Sequence, residues 1–122
     1  MSRVLIADDE PNIVISLEFL MKQEGHEVAI AVDGEDALDL LAAFQPDLVL
    51  LDVMMPKRSG FEVLQRIRTD SALPNPVVVM LTARGREAEE EKGKALGADR
   101  YITKPFATQE LIEVVRELLE GQ

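Results

Sequence analysis

Short apolar runs alternate with longer amphipathic segments along the chain. An apolar run bounded by turn residues predicts a β-strand, whereas apolar positions that recur every three or four residues predict a helix. The third and fourth predicted strands are apolar on both faces, as expected of interior strands in a parallel sheet that helices cover on both sides. The predicted strands are Val4–Ala7, Val28–Val32, Leu48–Leu51, Val77–Leu81 and Arg100–Thr103.

Helical segments are predicted between and after these strands, and several have recognisable ends. Pro11 suits a first helical position, and Gly25 would stop that helix. Asp33 is placed to cap the second helix. Ser59 and Glu62 have the spacing of a capping box at the start of the third.

The fourth helix is predicted from roughly Arg86 to Leu96 and the fifth after Phe106. Strict alternation of strands with helices predicts a doubly wound α/β domain with right-handed crossovers. The length of 122 residues fits one such domain.

The composition narrows the function classes. With 47% hydrophobic residues the chain can bury a core, and its net charge of −10 disfavours binding to nucleic acid or to an anionic membrane. The absence of cysteine excludes disulfides, a thiolate nucleophile and cysteine-based zinc sites. No apolar run approaches the ~20 residues of a membrane span, and no signal peptide is recognisable. We therefore expect a cytoplasmic protein.

Chemically reactive side chains follow several of the predicted strands. Asp8 and Asp9 come after the first, Asp52 after the third, Thr82 after the fourth and Lys104 after the fifth. In open α/β sheets ligands bind outside the carboxyl ends of the strands, near the point where strand order reverses. The sequence therefore predicts that three carboxylates, a hydroxyl and an ammonium converge at one edge of the sheet.

Three carboxylates so close together repel one another unless a cation lies between them. A hard divalent ion suits oxygen ligands, and a site with few protein ligands and room for water favours Mg²⁺ over Ca²⁺. Taken singly, Asp8 and Asp9 could cap the helix that begins at Pro11, and Asp52 could be a turn residue. Those simpler interpretations leave Lys104 in the same cluster unexplained.

These residues and their flanking motifs resemble the receiver domain of two-component response regulators, including the single-domain chemotaxis regulator. The resemblance runs from about Arg3 to about Leu119 and implies that residues 1–122 form one receiver domain. It also implies a flavodoxin-like fold with a parallel sheet in strand order 2-1-3-4-5. The matching motifs are Asp8-Asp9, Asp52-Val53-Met54-Met55-Pro56 with Gly60, Thr82-Ala83, Gly97-Ala98-Asp99 and Tyr101-Ile102-Thr103-Lys104-Pro105-Phe106.

The resemblance assigns a role to each residue of the predicted metal site. Asp52 would be the phosphoacceptor, attacking phosphorus to form an aspartyl phosphate. Mg²⁺ would be held by Asp9, by Asp52 and by the backbone carbonyl of Met54, with Asp8 acting through a bound water.

The remaining assignments concern the phosphoryl group and the switch. Thr82 and Lys104 would contact phosphoryl oxygens, and the bond between Lys104 and Pro105 is expected to be cis. Once the group is attached, the Thr82 hydroxyl would move toward it and Tyr101 would rotate into the vacated space. That movement would change the surface formed by the fourth helix, fifth strand and fifth helix.

The resemblance also implies partners. A sensor histidine kinase or a histidine phosphotransfer protein would donate the phosphoryl group, and a downstream effector protein would bind the altered surface. The domain would catalyse its own phosphorylation and dephosphorylation without being an enzyme in the usual sense. In the family, side chains at the positions of Met54 and Arg84 tune the lifetime of the phosphorylated state.

Two other classes share parts of this pattern. A phosphatase of the haloacid dehalogenase type also uses a strand-end Asp with Mg²⁺, but it requires a second Asp two residues later, where Met54 stands. A flavodoxin-like electron carrier requires a phosphate-binding loop rich in glycine and hydroxyl groups after the first strand. The acidic run Asp8-Asp9-Glu10 at that position would repel a phosphate.

The output of the domain is less defined by sequence. Receiver domains are often fused to DNA-binding or enzymatic domains, so this chain could be a single-domain regulator or a piece of a longer one. The winged-helix transcriptional subfamily dimerises through acidic residues near the position of Arg100 and basic residues near the positions of Glu90 and Val114, and here those charges are reversed or missing. We therefore expect a monomer that acts on a separate partner.

Overall fold

A computed structural model describes residues 2–83 and 87–121. Strands and helices alternate strictly over these ranges, as the hydrophobic pattern predicts. The helices are α1 (Pro11–Gln23), α2 (Gly34–Phe44), α3 (Gly60–Thr69), α4 (Glu87–Leu96) and α5 (Thr108–Glu120). The strands are β1 (Arg3–Ala7), β2 (Glu27–Ala31), β3 (Leu48–Asp52), β4 (Val77–Ala83) and β5 (Arg100–Lys104).

The described strands form one parallel sheet in the order β2-β1-β3-β4-β5, which confirms the expected fold class and strand order. β3 lies at the centre of the sheet, and every one of its residues is buried. Three strands extend further than their apolar runs at the carboxyl end. Asp52, Thr82 and Lys104 lie within β3, β4 and β5 rather than after them, because the parallel pairing continues to Asp52 beside Leu81 and to Lys104 beside Ala83.

Helices cover both faces of the sheet, and successive residues of each interior strand point to opposite sides. On one side Leu5, Val49 and Met80 pack against residues of α2 and α3, such as Leu41 and Leu64. On the other side the neighbouring strand residues pack against α1 and α5. This doubly covered core explains why β3 and β4 are apolar on both faces.

Local sequence signals set several helix ends. Pro11 lies in the first turn of α1, and Gly25 follows that helix with a φ of +88°, a conformation that glycine adopts easily. The Asp33 side chain accepts a hydrogen bond from the backbone of Asp36, and Ser59 opens α3 with a complete capping box. The predicted start of the fourth helix at Arg86 lies outside the described residues.

No helix within residues 2–83 and 87–121 combines the length and the apolarity needed to cross a bilayer.

Candidate functional site

The buried polar side chains of the described chain gather at the carboxyl edge of the sheet. Asp8, Asp52 and Thr82 are exposed by 0%, 5% and 2%, and no other polar or charged residue described is buried. Asp8 directly follows β1, whereas Asp52 is the last residue of β3 and Thr82 is the last but one of β4. Burying a carboxylate costs free energy unless it is paired with a cation or coordinates one. A positive charge is therefore needed at this edge of the sheet.

Lys104 supplies part of that compensation from the end of β5. Its Nζ atom lies 2.8 Å from Oδ2 of Asp8, 3.0 Å from Oε1 of Glu10 and 3.3 Å from Oδ1 of Asp52. The peptide bond between Lys104 and Pro105 is cis. One ammonium group therefore contacts three carboxylates that come from two strand ends.

The electrostatics of the site are those of crowded carboxylates with one cation. Burial, reinforced by the negative charge of Asp8, raises the pKa of Asp52 from 3.8 to about 6, although Lys104 works in the opposite direction. Burial disfavours the charged form of Lys104, but its hydrogen bonds to Asp8 and Glu10 outweigh that effect and raise its pKa. At neutral pH both Asp52 and Lys104 are therefore charged.

The loop that follows Asp52 is held against the end of β3. The backbone N–H of Met54 donates to Oδ1 of Asp52 over 3.4 Å, and the N–H of Gly60 donates to the carbonyl of Val53 over 2.9 Å. A Cβ atom on Gly60 would lie 2.1 Å from the carbonyl oxygen of Asp52, so a larger residue would push α3 away from the site. The Met54 side chain is 62% exposed, which leaves its backbone as the part near the site.

Among the described residues, Asp8, Glu10 and Asp52 form a cluster in which each offers a carboxylate oxygen within 4.8 Å of the others. Oxygen donors of this kind, on one open edge of a sheet, fit a hard cation such as Mg²⁺. The sequence did not predict Glu10 as a residue of the metal site. The signal that could have found it is its place beside Asp8 and Asp9, just before the proline that opens α1. Asp9 itself is exposed and lies outside this group, so its role as a metal ligand stays a prediction.

Tyr101 lies in β5 beside Met80, two residues before Thr82 in the neighbouring strand. Its side chain is half-buried, and its hydroxyl is buried without a hydrogen-bond partner in the described part of the chain. Burial and the nearby charge of Glu90 raise its pKa to about 12. The phenol thus lies against the core, on the strand next to the one that carries Thr82. Arg84, the second position expected to tune the phosphorylated state, lies outside the described residues.

Comparison with known proteins identifies the family of this chain. The family model of the response regulator receiver domain matches residues 4–116, which include every residue of the site. The chain belongs to the response regulator receiver family. Receiver domains are components of two-component signalling systems, so that general role applies to this chain.

Solved receiver structures agree in fold over nearly the whole chain. A protein described as a response regulator from Chloroflexus aurantiacus is 33% identical, with a TM-score of 0.92 and coverage of 98% of both chains. The chemotaxis protein CheY4 of Vibrio cholerae is 30% identical, with a TM-score of 0.88 over 97% of this chain and 98% of that one.

A third relative carries the same fold inside a longer protein. NtrX of Brucella abortus is 30% identical with a TM-score of 0.90, but the match covers 98% of this chain and only 27% of that chain. The similar structures thus include chains of about this length and a longer chain of which the matched part is about a quarter.

Proposed function

We propose that this receiver domain is a phosphorylation-activated switch whose phosphoacceptor is Asp52. The observation that carries the proposal is the position of the Asp52 carboxylate: buried at the end of the central strand, with the Lys104 ammonium 3.3 Å away. The proposed donor is a phosphohistidine of a sensor histidine kinase or of a phosphotransfer protein. We also propose that the reaction takes place in the cytoplasm.

The transfer requires an ionised nucleophile. With a pKa of about 6, Asp52 is mostly a carboxylate at neutral pH and also more basic than an exposed aspartate. One of its oxygens forms the new bond to phosphorus as the bond from phosphorus to the histidine nitrogen breaks. The leaving nitrogen keeps the electron pair and takes up a proton, so the net result is an aspartyl phosphate and a neutral imidazole.

We propose that Mg²⁺ is held by Asp9, Asp52 and the Met54 carbonyl, with Asp8 contributing through a water. When bound, this ion would neutralise charge that develops on the transferring phosphoryl oxygens. The clustering of Asp8, Glu10 and Asp52 supports a cation at this edge. Lys104 adds a fixed positive charge beside Asp52 that can pair with a phosphoryl oxygen after transfer.

The added charge on Asp52 would drive the switch. We propose that the Thr82 hydroxyl turns toward the phosphoryl group and that Tyr101 follows it, which changes the surface of α4, β5 and α5 for an effector protein. The half-buried Tyr101 side chain, whose hydroxyl has no polar partner among the described residues, is consistent with such a movement. A phosphoryl mimic such as beryllofluoride should then shift NMR resonances throughout α4 and α5. Shifts confined to the site would contradict the switch.

The central test is covalent labelling. Incubation with Mg²⁺ and acetyl phosphate or phosphoramidate should add one phosphoryl group, detected by intact-protein mass spectrometry, and the D52N variant should not be labelled. The matched control is D39N, which removes one carboxylate from an exposed position on α2 and should be labelled like the wild type. Equal labelling of D52N would sink the assignment. Continuous release of inorganic phosphate over many turnovers would instead favour a phosphatase of the haloacid dehalogenase class.

A further inference from the structure

The loop between β3 and α3, residues 53–59, rests on the corner between β2 and α2. This corner consists of the consecutive residues Asp33, Gly34 and Glu35, about twenty positions earlier in the chain. The N–H of Gly34 donates a hydrogen bond to the carbonyl of Pro56 over 3.2 Å. The loop that carries Met54 is therefore attached to an element that contributes no residue to the site itself.

The approach at Gly34 is too close for any side chain. A Cβ atom placed there would lie 2.3 Å from the carbonyl oxygen of Arg58 and 2.4 Å from its Cβ atom. Both are backbone or near-backbone atoms, so a rotamer change of Arg58 cannot relieve the overlap. Any larger residue at position 34 must move the loop, the corner or both.

The two neighbours of Gly34 form ion pairs with the same loop. Asp33 lies 3.5 Å from Nζ of Lys57, and Oε1 of Glu35 lies 2.8 Å from Nε of Arg58. Lys57 has a φ of +69°. This left-handed conformation costs free energy for a lysine, so contacts of the loop must offset that cost. Three successive corner residues thus fix three successive loop residues.

This contact reaches the site because the loop is short and fixed at both ends. Its first residues continue from β3 and its last residue caps α3, so a displacement at Pro56 or Arg58 cannot dissipate along a free chain. Met54 lies two residues before Pro56, and its N–H already contacts Asp52. A shift of the loop therefore changes where the Met54 carbonyl points relative to Asp52.

We propose that Gly34 is a positioning residue for the phosphoryl-transfer site and acts through the loop on the Met54 carbonyl. This inference rests on the proposed function, in which that carbonyl binds Mg²⁺. Mutation of a group that contacts a metal ligand and fixes its orientation typically changes the metal affinity by about tenfold or more. The G34A variant should therefore need about tenfold more Mg²⁺ for half-saturation.

The test measures metal binding separately from labelling. The midpoint of thermal unfolding, followed as Mg²⁺ is added, gives the half-saturating concentration without any phosphoryl donor. The rate of labelling by acetyl phosphate is then compared at low and at saturating Mg²⁺. For G34A we expect a higher half-saturating concentration and a labelling rate that excess Mg²⁺ largely restores.

The matched control is G25A. Gly25, unlike Gly34, has a positive φ that is strained for any other residue, but nothing lies within 4 Å of a Cβ atom built there. Alanine at position 25 should lower stability without changing the Mg²⁺ requirement. If G34A has the same half-saturating concentration as the wild type and G25A, the inference is overturned. If the wild type itself neither responds to Mg²⁺ nor is labelled, the proposed function fails instead, before any variant is compared.

A milder variant keeps the inference testable if G34A does not fold. E35Q removes the exposed ion pair to Arg58 and should raise the half-saturating Mg²⁺ concentration by about twofold, the size expected of such a pair. D39N removes the same charge from an exposed position on the same helix. An increase in E35Q but not in D39N supports the loop contact, and equal values in the two variants overturn it.

Discussion

The hydroxyl oxygen of Tyr101 lies 1.4 Å from the point that a Cβ atom on Gly93 would occupy. Its Cζ atom is only 2.5 Å from the same point, so the tip of the ring fills the space of a missing side chain in the middle of α4. Glycine is unfavourable within a helix by about 1 kcal/mol relative to alanine. The position of Tyr101, the only tyrosine of the chain, thus depends on Gly93, a residue that is unfavourable within α4.

Replacing Gly93 with alanine should therefore expel the phenol. We expect the pKa of Tyr101 to fall from about 12 toward its ordinary value of 10.0, because the ring leaves its buried position. The chain has one tyrosine and no tryptophan, so acrylamide quenching of tyrosine fluorescence reports this side chain alone. The quenching constant should increase in G93A. K94A changes an exposed neighbour on α4 and should leave quenching as in the wild type. Unchanged quenching together with higher stability in G93A would show that α4 does not depend on this contact.

Much of the site was predictable because it follows from two simple rules. Apolar runs locate the strands, and the carboxyl ends of parallel strands meet at one edge, which brings Asp8, Asp52, Thr82 and Lys104 together. The order of the strands could not be obtained in this way. It came from the resemblance to receivers, since hydrophobic patterns do not record which strands are neighbours.

Other features depend on contacts that no local pattern contains. The approach of Glu10 to Lys104 depends on the direction in which α1 leaves β1. The tight positions of Gly34 and Gly93 depend on residues that are distant or on another element, Arg58 and Tyr101. In the sequence both glycines are indistinguishable from ordinary turn or helix glycines. Their role becomes visible only when the free space around the missing Cβ atom is measured.

The second prediction concerns the ammonium group of Lys104. Replacing Lys104 with methionine would leave Asp8 and Asp52 buried without the ammonium that contacts both. Removing one partner of a buried ion pair typically costs about 3 kcal/mol or more. The free energy of unfolding of metal-free K104M, measured in urea at pH 7, should fall by about that amount. K94M carries the same change at an exposed position of α4 and should stay close to the wild type. Equal stability of K104M and wild type would mean that the carboxylates do not depend on Lys104.

The third prediction follows from the raised pKa of Asp52 in metal-free protein. Its pKa is about 6 when folded and near 3.8 when unfolded, so between these values the folded state binds more protons than the unfolded state. Stability from this group is therefore present at low pH and is lost as the pH rises from about 4 to about 6. A difference of this size corresponds to about 2 kcal/mol for a group that is partly screened.

The difference between wild type and D52N isolates this contribution from the other titrating groups. With a chelator present, urea unfolding at pH 4.5 and pH 7 should show wild type losing more stability than D52N as the pH increases. Addition of Mg²⁺ at pH 7 should stabilise wild type more than D52N, since the cation favours the ionised carboxylate. Parallel pH profiles for the two proteins would contradict the raised pKa.

The last prediction concerns the oligomeric state of the activated protein. Receivers that dimerise through α4, β5 and α5 use charges that are available to the partner, but here Arg100 pairs with Glu117 of the same chain. On α4, Glu90 carries the opposite sign from the basic residue expected at its position, and on α5 Val114 carries no charge. A dimer would have to break an internal ion pair and bring uncompensated charges together. Sedimentation velocity with and without beryllofluoride should therefore give a monomer in both cases. As a control, R100E should stay monomeric when inactive, and a dimer of the activated wild type would show that another surface drives association.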